Sequence, residues 1–127
     1  MFRAVPQLTV SDLERSIAFY VGLLDFTVTL RDPADAPVFV TLERDDAMLF
    51  LVSESSREDT DAAEDLAAHK HGVGVRLYFE VDDARAVYER VPATGARLHR
   101  DLTYNADENY TEFVVLDPEG YEIGVYS

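Results

Sequence analysis

The hydrophobic and polar positions of this chain follow one pattern twice. The stretches "LTVSD" at residues 8–12 and "FEVDD" at residues 79–83 each alternate apolar and polar side chains, which is typical of a half-buried strand, and each ends in polar residues that favour a helix start. Apolar residues at helical spacing follow both stretches: Leu13, Ile17, Tyr20 and Leu24 in the first copy, and Ala84, Val87, Tyr88 and Val91 in the second. Each copy therefore predicts a strand followed by a helix.

Three further strand-like runs follow each predicted helix. They are "FTVTL", "VFVTLE" and "AMLFLV" in the first half, and "ARLHR", "TEFVVL" and "YEIGVY" in the second. Each half is therefore a predicted β-α-β-β-β unit, and the fold class is α+β. We expect one domain over residues 1–127, made of unit one at 1–53, an acidic linker at 54–72 and unit two at 73–127. The linker lacks a strand pattern and favours at most one short helix, around residues 62–69.

Polar residues indicate where the two predicted helices begin. Ser11 and Glu14 have the spacing of a capping box for the first helix. Either Asp82 or Asp83 is placed to cap the second helix. Both helices are therefore expected to start directly after a strand, as the repeated unit requires.

The charge and composition of the chain limit its partners. Its 25 acidic and 11 basic residues give a formal net charge of −14, which repels nucleic-acid phosphates and anionic lipid headgroups and attracts cationic ligands. The sequence contains no cysteine, which excludes disulfides, thiolate metal ligands and a cysteine nucleophile. The N-terminal "MFRAVPQLTV" has neither a signal-peptide pattern nor a membrane span. We therefore expect a cytoplasmic protein that binds neither nucleic acid nor membranes.

Alternation within the predicted strands assigns their side chains to two faces. The helices are expected to cover the apolar row of each first strand, which includes Leu8 and Val10 in one half and Val75 in the other. Because glycine has no side chain to pack, its presence inside the last strand, at Gly124, raises the question of what lies over it. The opposite face, which either meets water or lines a cavity, is expected to carry Val5, Gln7, Met48, Phe50, Arg76, Tyr78, Glu122, Gly124 and Tyr126.

The duplicated unit, together with "VPQLTVSDLERSIAFYVGLLDF" at its start and "TEFVVLDPEGYEIGVY" at its end, resembles the glyoxalase, bleomycin-resistance and extradiol-dioxygenase superfamily, the vicinal oxygen chelate proteins. The stretch "LLDF" departs from the family's usual Leu-Gly-Phe, but Asp25 tolerates the left-handed backbone that this helix end requires. The resemblance implies an eight-stranded half-open barrel. It also implies an interlocked homodimer with clefts between unit one of one subunit and unit two of the other.

The resemblance implies where a metal would be bound. In the family's enzymes the ligands project from the first and last strands of each unit, and these positions correspond here to Val5, Phe50, Arg76 and Gly124. The internal repeat gives the same correspondence, because it overlays Val5 on Arg76 and Phe50 on Gly124. None of the four can donate an electron pair to a metal. We therefore expect no metal and no cofactor, and an apolar hollow at Gly124.

Similarity to the metal-free bleomycin-resistance proteins implies a ligand-binding site instead. Phe39 matches the place of an aromatic that packs on the drug in those proteins, and "LTYNADENYTEF" corresponds to their cleft mouth. This stretch is expected to hold Tyr104, Tyr110 and Glu112 in an irregular loop and strand start. The expected ligand is an aromatic or cationic antibiotic-like molecule. The expected ligand-binding residues are Val5, Gln7, Phe39, Met48, Phe50, Arg76, Tyr78, Tyr104, Tyr110, Glu112, Gly124 and Tyr126.

The leading functional interpretation is a metal-free binding protein without catalytic residues, which sequesters an antibiotic in clefts at its dimer interface and so provides antibiotic resistance. The alternative is a cofactor-free enzyme acting on an aromatic or polyketide-like metabolite, with Glu112 or Glu80 as base and Arg76 holding an oxyanion. A divalent-metal-dependent enzyme of the glyoxalase or dioxygenase type is the least favoured interpretation.

The three histidines give a weaker signal. His69 and His71 have the spacing that aligns two ligands on a strand, but no third ligand is evident nearby, so exposure or adventitious metal binding is favoured. His99 lies in a strand among arginines, where a surface position is expected.

Overall fold

The computed structural model describes residues 2–56 and 69–127. The chain divides into two compact units, an N-terminal unit, Met1–His69, and a C-terminal unit, Lys70–Ser127. The helix expected around residues 62–69 falls almost entirely outside the described residues. Among the described residues, no helix has both the length and the apolar character needed to cross a membrane.

The N-terminal unit is a four-stranded sheet with one helix. Its elements are β1 (Gln7–Val10), α1 (Leu13–Leu24), β2 (Thr27–Asp32), β3 (Phe39–Arg44), β4 (Ala47–Ser53) and a single 3₁₀ turn (Glu54–Ser56). The strand order is β1-β4-β3-β2, with β1 parallel to β4 and the other neighbours antiparallel. Helix α1 is the crossover connection that a parallel pair needs, and it packs against β4 and β2.

Helix α1 begins one residue later than the predicted capping box. Asp12 is its N-cap, with a carboxylate oxygen that accepts a hydrogen bond from the backbone N–H of Arg15 at 3.1 Å. The predicted N-cap, Ser11, is therefore wrong by one residue. The side chain of Glu14 accepts a hydrogen bond from Arg31 Nη1 at 2.9 Å.

The other end of α1 confirms the expectation for Asp25. This residue has φ 56°, in the left-handed region. Arg44 Nη1 donates a 2.7 Å hydrogen bond to the carbonyl of Leu24, which would otherwise lack an intrahelical partner. A cationic side chain at the negative end of the helix dipole is favourable, so β3 stabilises the end of α1.

The C-terminal unit repeats this topology with shorter helices. Its elements are β5 (Arg76–Glu80), α2 (Ala84–Tyr88), α3 (Val91–Thr94), β6 (Arg97–Asn105), β7 (Tyr110–Leu116) and β8 (Glu122–Tyr126). The strand order is β5-β8-β7-β6, with β5 parallel to β8. Asp83 caps α2, which agrees with one of the two predicted residues. The single helix expected after it is split in two, because Pro92 has no N–H with which to continue the hydrogen bonds of α2.

The strand registers of the two units superpose as the sequence repeat predicts. Gln7 lies directly opposite Phe50 in the N-terminal unit, and Tyr78 lies directly opposite Gly124 in the C-terminal unit. These are equivalent pairs when Phe50 is overlaid on Gly124. The predicted α+β class with two β-α-β-β-β units is confirmed.

One face of each sheet forms a core with its helices. Fully buried residues on these faces include Val10, Val40, Leu42, Leu49 and Leu51 in the N-terminal unit, and Phe113, Val115, Ile123 and Val125 in the C-terminal unit. Val75, expected in the covered row, is 52% exposed because β5 begins only at Arg76. The helix-covered faces are therefore committed to packing, which leaves the opposite faces for function.

Candidate functional site

The strand pairing of the C-terminal unit gathers most of its predicted site residues on the sheet face opposite the core. Residues that lie opposite one another on adjacent strands share a face. That face carries Arg76, Tyr78, Glu80, Glu112, Glu122, Gly124 and Tyr126. It combines two aromatic side chains with both signs of charge, so it has the chemistry to bind a ligand by stacking and by ion pairing.

The ring of Tyr78 covers Gly124. A Cβ added to Gly124 would lie 2.4 Å from Cε1 and 2.5 Å from Cδ1 of Tyr78, far inside van der Waals contact. The expected apolar hollow at Gly124 is therefore filled by a side chain of the protein itself. Glycine is needed in β8 because the ring from β5 occupies the space that any other side chain would take. Tyr78 nevertheless remains 46% exposed.

Arg76 holds the hydroxyl of Tyr78. Its Nη1 donates a 3.2 Å hydrogen bond to the Tyr78 hydroxyl, and its Nη2 donates one of 3.2 Å to Glu122 Oε1. The guanidinium carbon also lies 5.9 Å from the centre of the Tyr78 ring, within cation–π range. The hydrogen bond to Tyr78, and then that to Glu122, raise the pKa of Arg76 above its ordinary value. Arg76 is therefore a permanent cation that fixes the position of a phenol.

Glu122 joins Arg76 to His99. The same oxygen, Oε1, lies 3.0 Å from His99 Nε2 and 3.2 Å from Arg76 Nη2. His99 is exposed, as expected, and it also contacts Glu122. The contact joins β6 to β8 across the intervening strand β7.

Glu112 and Tyr126 lie on the same face with partners of their own. Glu112 Oε1 accepts a 3.0 Å hydrogen bond from Arg100 Nη1, and the Glu112 side chain is only 12% exposed. Tyr126 meets Tyr78 edge-on, with ring centres 6.0 Å apart, and its hydroxyl lies 3.5 Å from Glu80 Oε2. The side chain of Glu122 is 27% exposed, so Glu122 is more accessible than Glu112 to a ligand beside Tyr78.

Tyr104 lies in β6 and not in an irregular loop, which corrects the expectation, whereas Tyr110 begins β7 and so lies at a strand start as expected. The β6–β7 ladder continues to the pair formed by Asn105 and Tyr110, so only residues 106–109 form the turn. Tyr104 is 58% exposed and donates a 2.8 Å hydrogen bond to Asn109 Oδ1. The structure places Tyr104 within the strand and gives its hydroxyl a local partner.

The predicted residues of the N-terminal unit also come together on one sheet face, and that face is apolar. The rings of Phe39 and Phe50 pack with centres 5.1 Å apart. Met48 is half-buried on β4, and its sulfur accepts a hydrogen bond of 3.6 Å from Arg3 Nη2. Val5 precedes β1 and is half-buried. Gln7 is exposed opposite Phe50.

The His-Lys-His stretch is only partly exposed. His69 is exposed, but the side chain of His71 is 11% exposed and stacks on Tyr121 with ring centres 5.3 Å apart. Its Nδ1 lies 3.6 Å from Glu119 Oε1. Gly72, at φ 72°, allows this packing, because a Cβ there would lie 2.6 Å from the Tyr121 ring. The expectation of simple exposure is therefore wrong for His71.

A separate groove of about 470 Å³ lies on the helix side of the C-terminal unit. It is lined by Tyr88, Glu89, Val91, Pro92, Ala96 and Leu98. At this side the Tyr88 hydroxyl donates a hydrogen bond to Asp101, which raises the pKa of Tyr88 and lowers the pKa of Asp101. None of the predicted ligand-binding residues lines the groove, so we place the candidate site on the opposite face, where aromatic and charged groups converge.

Comparison with known families identifies the duplicated fold. Residues 4–125 match the Glyoxalase/Bleomycin resistance protein/Dioxygenase superfamily. The chain belongs to this superfamily. No curated protein sequence matches the chain significantly.

Several solved structures share this fold over nearly the whole length of the chain. TioX from Micromonospora sp. ML1 is 19% identical with a TM-score of 0.78, over 99% of this chain and 98% of TioX. A glyoxalase/bleomycin resistance protein/dioxygenase family enzyme from Burkholderia phytofirmans PsJN is 22% identical with a TM-score of 0.75, over 96% of this chain and 94% of that enzyme. A glyoxalase-related enzyme from Fulvimarina pelagi is 21% identical with a TM-score of 0.69, over 98% of this chain and 86% of its own. These likenesses establish the fold.

The residues at the four positions corresponding to the superfamily's metal ligands do not fit a metal ion. Phe50 packs on Phe39, and the guanidinium of Arg76 already pairs with Glu122. The space over Gly124 holds a tyrosine ring. Val5 offers only hydrocarbon. A cation placed here would meet a fixed positive charge and no carboxylate or imidazole from these four positions, so no metal chemistry is derived for them.

Strand alternation predicted which side chains share each sheet face, but two contacts on the face of the C-terminal unit were not predicted. The contact between exposed His99 and Glu122 joins β6 to β8 across β7, and the spacing of neighbouring residues does not relate these two strands. The closure of Tyr78 over Gly124 was also missed. The sequence did contain a signal for this contact. The repeat overlays Gln7 on Tyr78 and Phe50 on Gly124, so Tyr78 and Gly124 are cross-strand neighbours if Gln7 and Phe50 are.

Proposed function

We propose that this superfamily member is a small-molecule binding protein that holds a planar, antibiotic-like ligand without a metal and releases it unchanged. The observation that carries the proposal is the half-exposed Tyr78 beside the Arg76–Glu122 ion pair. A stacking surface with directing charges suits an aromatic ligand that also carries polar groups. Sequestration of such a ligand in the cytoplasm would provide resistance to it.

The two sheet faces support complementary parts of this recognition. In the N-terminal unit the packed rings of Phe39 and Phe50 offer apolar contact. In the C-terminal unit Tyr78 and Tyr126 offer ring edges together with the carboxylate of Glu80. The net charge of −14 attracts ligands that carry a cationic group.

We further propose that the binding form is a homodimer, as the superfamily resemblance implies. Large hydrophobic side chains support this, since several of them are exposed on strands at the ends of the two sheets. Leu30 on β2 is 50% exposed, and Leu98 on β6 is 38% exposed. Burial of such residues against a second chain would remove apolar surface from water.

A second candidate function is a cofactor-free enzyme, and the Glu122–His99 pair favours it. A carboxylate that holds one imidazole nitrogen orients the other nitrogen as a proton acceptor. Arg76, bound to the same carboxylate oxygen, could then stabilise an oxyanion. In this candidate His99 replaces Glu112 as the base, because Glu112 is paired with Arg100.

One experiment distinguishes the two candidates. Wild type and Glu122→Gln are incubated with a panel of aromatic and glycopeptide antibiotics, and both the heat of binding and the ligand mass are measured. We expect wild type to bind at least one ligand and to return it unchanged. A product formed by wild type and lost in Glu122→Gln would replace sequestration by catalysis. A panel without any bound ligand would overturn both candidates for this ligand class.

Metal content gives an independent test of the same proposal. Elemental analysis of the purified protein should find no stoichiometric divalent ion at the candidate site. Stoichiometric Zn, Ni, Mn or Fe that binds wild type and is lost in Glu122→Gln would contradict the proposal.

A further inference from the structure

The side chain of Tyr78 occupies its site much as a bound phenol would. Its ring edge lies over the backbone of Gly124, its hydroxyl accepts a hydrogen bond from Arg76, and its ring meets Tyr126 edge-on. Each of these contacts is made by the phenol group and would be equally available to a phenol that is not part of the chain. The neighbours of Tyr78 thus offer a phenol three contacts: the backbone of Gly124 below the ring, a hydrogen-bond donor from Arg76 and the ring of Tyr126 at its side.

Tyr78 is also free to leave this position at small cost. Its 46% exposure contrasts with Phe113 on the other face of the same sheet, which is fully buried. Its hydroxyl is held by the hydrogen bond from Arg76, which solvent or a ligand oxygen can replace when the ring moves. Rotation about its side-chain bonds would move the ring into solvent without disturbing β5.

An unused donor lies beside the ring. Among the residues that the structure describes, the Nε atom of Arg76 is buried and has no hydrogen-bond partner. Buried donors in native proteins are nearly always satisfied, so an unpaired one indicates a missing acceptor. An acceptor on a ligand that binds after Tyr78 moves is one way to supply it.

We propose that Tyr78 is an intramolecular stand-in for the ligand, and that a planar phenol or aryl carbonyl compound displaces its ring from Gly124. The proposal rests on the proposed function and extends it by naming the ligand class and the subsite. The ring of the ligand lies over Gly124 and against Tyr126. Its oxygen takes the hydrogen bond that Arg76 gives to the Tyr78 hydroxyl.

A purely structural role for Tyr78 has different consequences. Aromatic side chains often cover a glycine in a neighbouring strand, and in that case the ring only restores lost packing. Removing the ring would then expose a surface with no preference for phenols. Under the proposal, removing the ring relieves a competition, since a ligand whose binding form is only partly populated binds with reduced apparent affinity.

The test uses 2-naphthol as the probe and isothermal titration calorimetry as the readout, on wild type, Tyr78→Ala and Tyr78→Ala/Gly124→Ala. We expect Tyr78→Ala to bind 2-naphthol at least about tenfold more tightly than wild type, because the competing ring is gone. The added methyl group of the double variant should cancel this gain. Phe2→Ala, which removes a fully exposed aromatic ring from outside the candidate site, should leave the affinity at the wild-type value.

A second variant covers the case in which Tyr78→Ala fails to fold. Tyr78→Phe keeps the ring but loses the hydrogen bond to Arg76, so 2-naphthol should bind it a few-fold more tightly than wild type. In wild type, nuclear Overhauser contacts between the Gly124 Hα protons and the Tyr78 ring should give way to contacts with 2-naphthol at saturation.

Several results would overturn the inference. They are equal affinities in wild type and in both Tyr78 variants, no binding to either variant, or Gly124–Tyr78 contacts that persist at saturation. If wild type binds a panel antibiotic and the Tyr78 variants bind it equally well, the proposed function stands and the stand-in role is wrong. If only the Tyr78 variants bind 2-naphthol and wild type binds nothing in the panel, the subsite stands and the proposed function is wrong.

Discussion

The two units place opposite chemistry at equivalent positions of the same fold. In the N-terminal unit the first strand contributes Gln7 and the last strand contributes the aromatic Phe50. In the C-terminal unit the first strand contributes the aromatic Tyr78 and the last strand contributes Gly124. Each pair thus holds one ring, but the ring comes from a different strand. The repeated hydrophobic pattern fixes the topology and leaves the exposed face free to diverge.

The surroundings of the two rings differ in the same way. Phe50 packs on a second hydrocarbon ring, that of Phe39, and needs no polar partner. Tyr78 is held by Arg76, which in turn is held by Glu122. The sheet face of the N-terminal unit therefore favours burial of apolar surface. The sheet face of the C-terminal unit favours replacement of one hydrogen-bonded group, the Tyr78 hydroxyl, by another. This difference predicts that substitutions in the first unit act mainly on stability and those in the second mainly on recognition.

The largest expected effect is that of Phe50→Asp. The change removes ring packing on Phe39 and puts an unpaired charge in a half-buried apolar surface, which should cost about 2–4 kcal/mol of unfolding free energy. Urea denaturation measures it. Gln7→Asp is the matched control, because Gln7 lies directly opposite on β1 and is exposed; it should cost less than about 0.5 kcal/mol. Equal losses of unfolding free energy at positions 50 and 7 would mean that the Phe50 ring contributes no more to stability than its exposed cross-strand neighbour.

The next largest effect is expected from Gly124→Ala, which tests Tyr78 and Gly124, the equivalent pair in the C-terminal unit. In wild type the new methyl group collides with Tyr78 and should cost about 1–2 kcal/mol as the ring is displaced. In the Tyr78→Ala background the collision is absent. There the same change should be neutral or stabilising by about 0.5 kcal/mol, because alanine suits a strand better than glycine.

A helix glycine provides the control for Gly124→Ala. Gly22 lies in α1, and a Cβ there would meet no atom within 4 Å. Gly22→Ala should therefore stabilise the protein by about 0.5–1 kcal/mol. The informative quantity is the coupling between positions 78 and 124 in the double-mutant cycle. A coupling energy near zero would mean that Tyr78 does not cover Gly124 in solution.

The fold could be predicted from the sequence further than the site could. Periodic apolar positions, the repeat overlay and Asp25 at a helix end are local signals, and each led to the observed element. The predicted N-cap was wrong by one residue because Ser11 and Asp12 are both good caps, and Glu14, the other predicted member of the box, pairs with Arg31 of β2. Long-range contacts of this kind are not encoded in the spacing of neighbouring residues.

The site was less predictable for two physical reasons. Strand alternation assigns a side chain to a face but does not give its rotamer, so it could not distinguish an open Gly124 from one covered by Tyr78. Alternation also does not give the order of the strands, so it could not show that exposed His99 on β6 contacts Glu122 on β8. Both contacts lie in the C-terminal unit, where polar contacts across strands determine the arrangement.

A smaller effect is expected from Glu122→Gln. The change removes the charge that Arg76 and His99 share, but all three side chains are partly exposed, so the cost should be only about 1 kcal/mol or less. High salt should reduce the difference between wild type and variant. Glu43→Gln is a control on the N-terminal unit's sheet face and should show a smaller cost without this salt dependence. A salt-independent loss for Glu122→Gln would assign it a packing role.

The smallest effect concerns the helix side of the C-terminal unit, where Tyr88 donates a hydrogen bond to Asp101. The bond lowers the pKa of Asp101 below its ordinary 3.8 and raises the pKa of Tyr88 above its ordinary 10.0. The lowered carboxyl pKa means that Asp101 contributes stability above pH 3.8, and that this contribution is lost as the pH falls toward the folded-state value. The raised phenol pKa means that the contribution of Tyr88 is complete below pH 10 and is lost as the pH rises above it.

Tyr88→Phe should therefore lower the unfolding free energy slightly at neutral pH, and its difference from wild type should shrink both in acid and above pH 10. Urea denaturation across this pH range measures the difference. Tyr104→Phe is the control, because the partner of that hydroxyl is the uncharged amide of Asn109. Its difference from wild type should not shrink in acid, since an amide takes up no proton there. A loss for Tyr88→Phe that stays constant through the acid range would mean that Asp101 does not accept this bond in solution, and that Tyr88 acts only by packing on Phe113, whose ring centre lies 5.4 Å away.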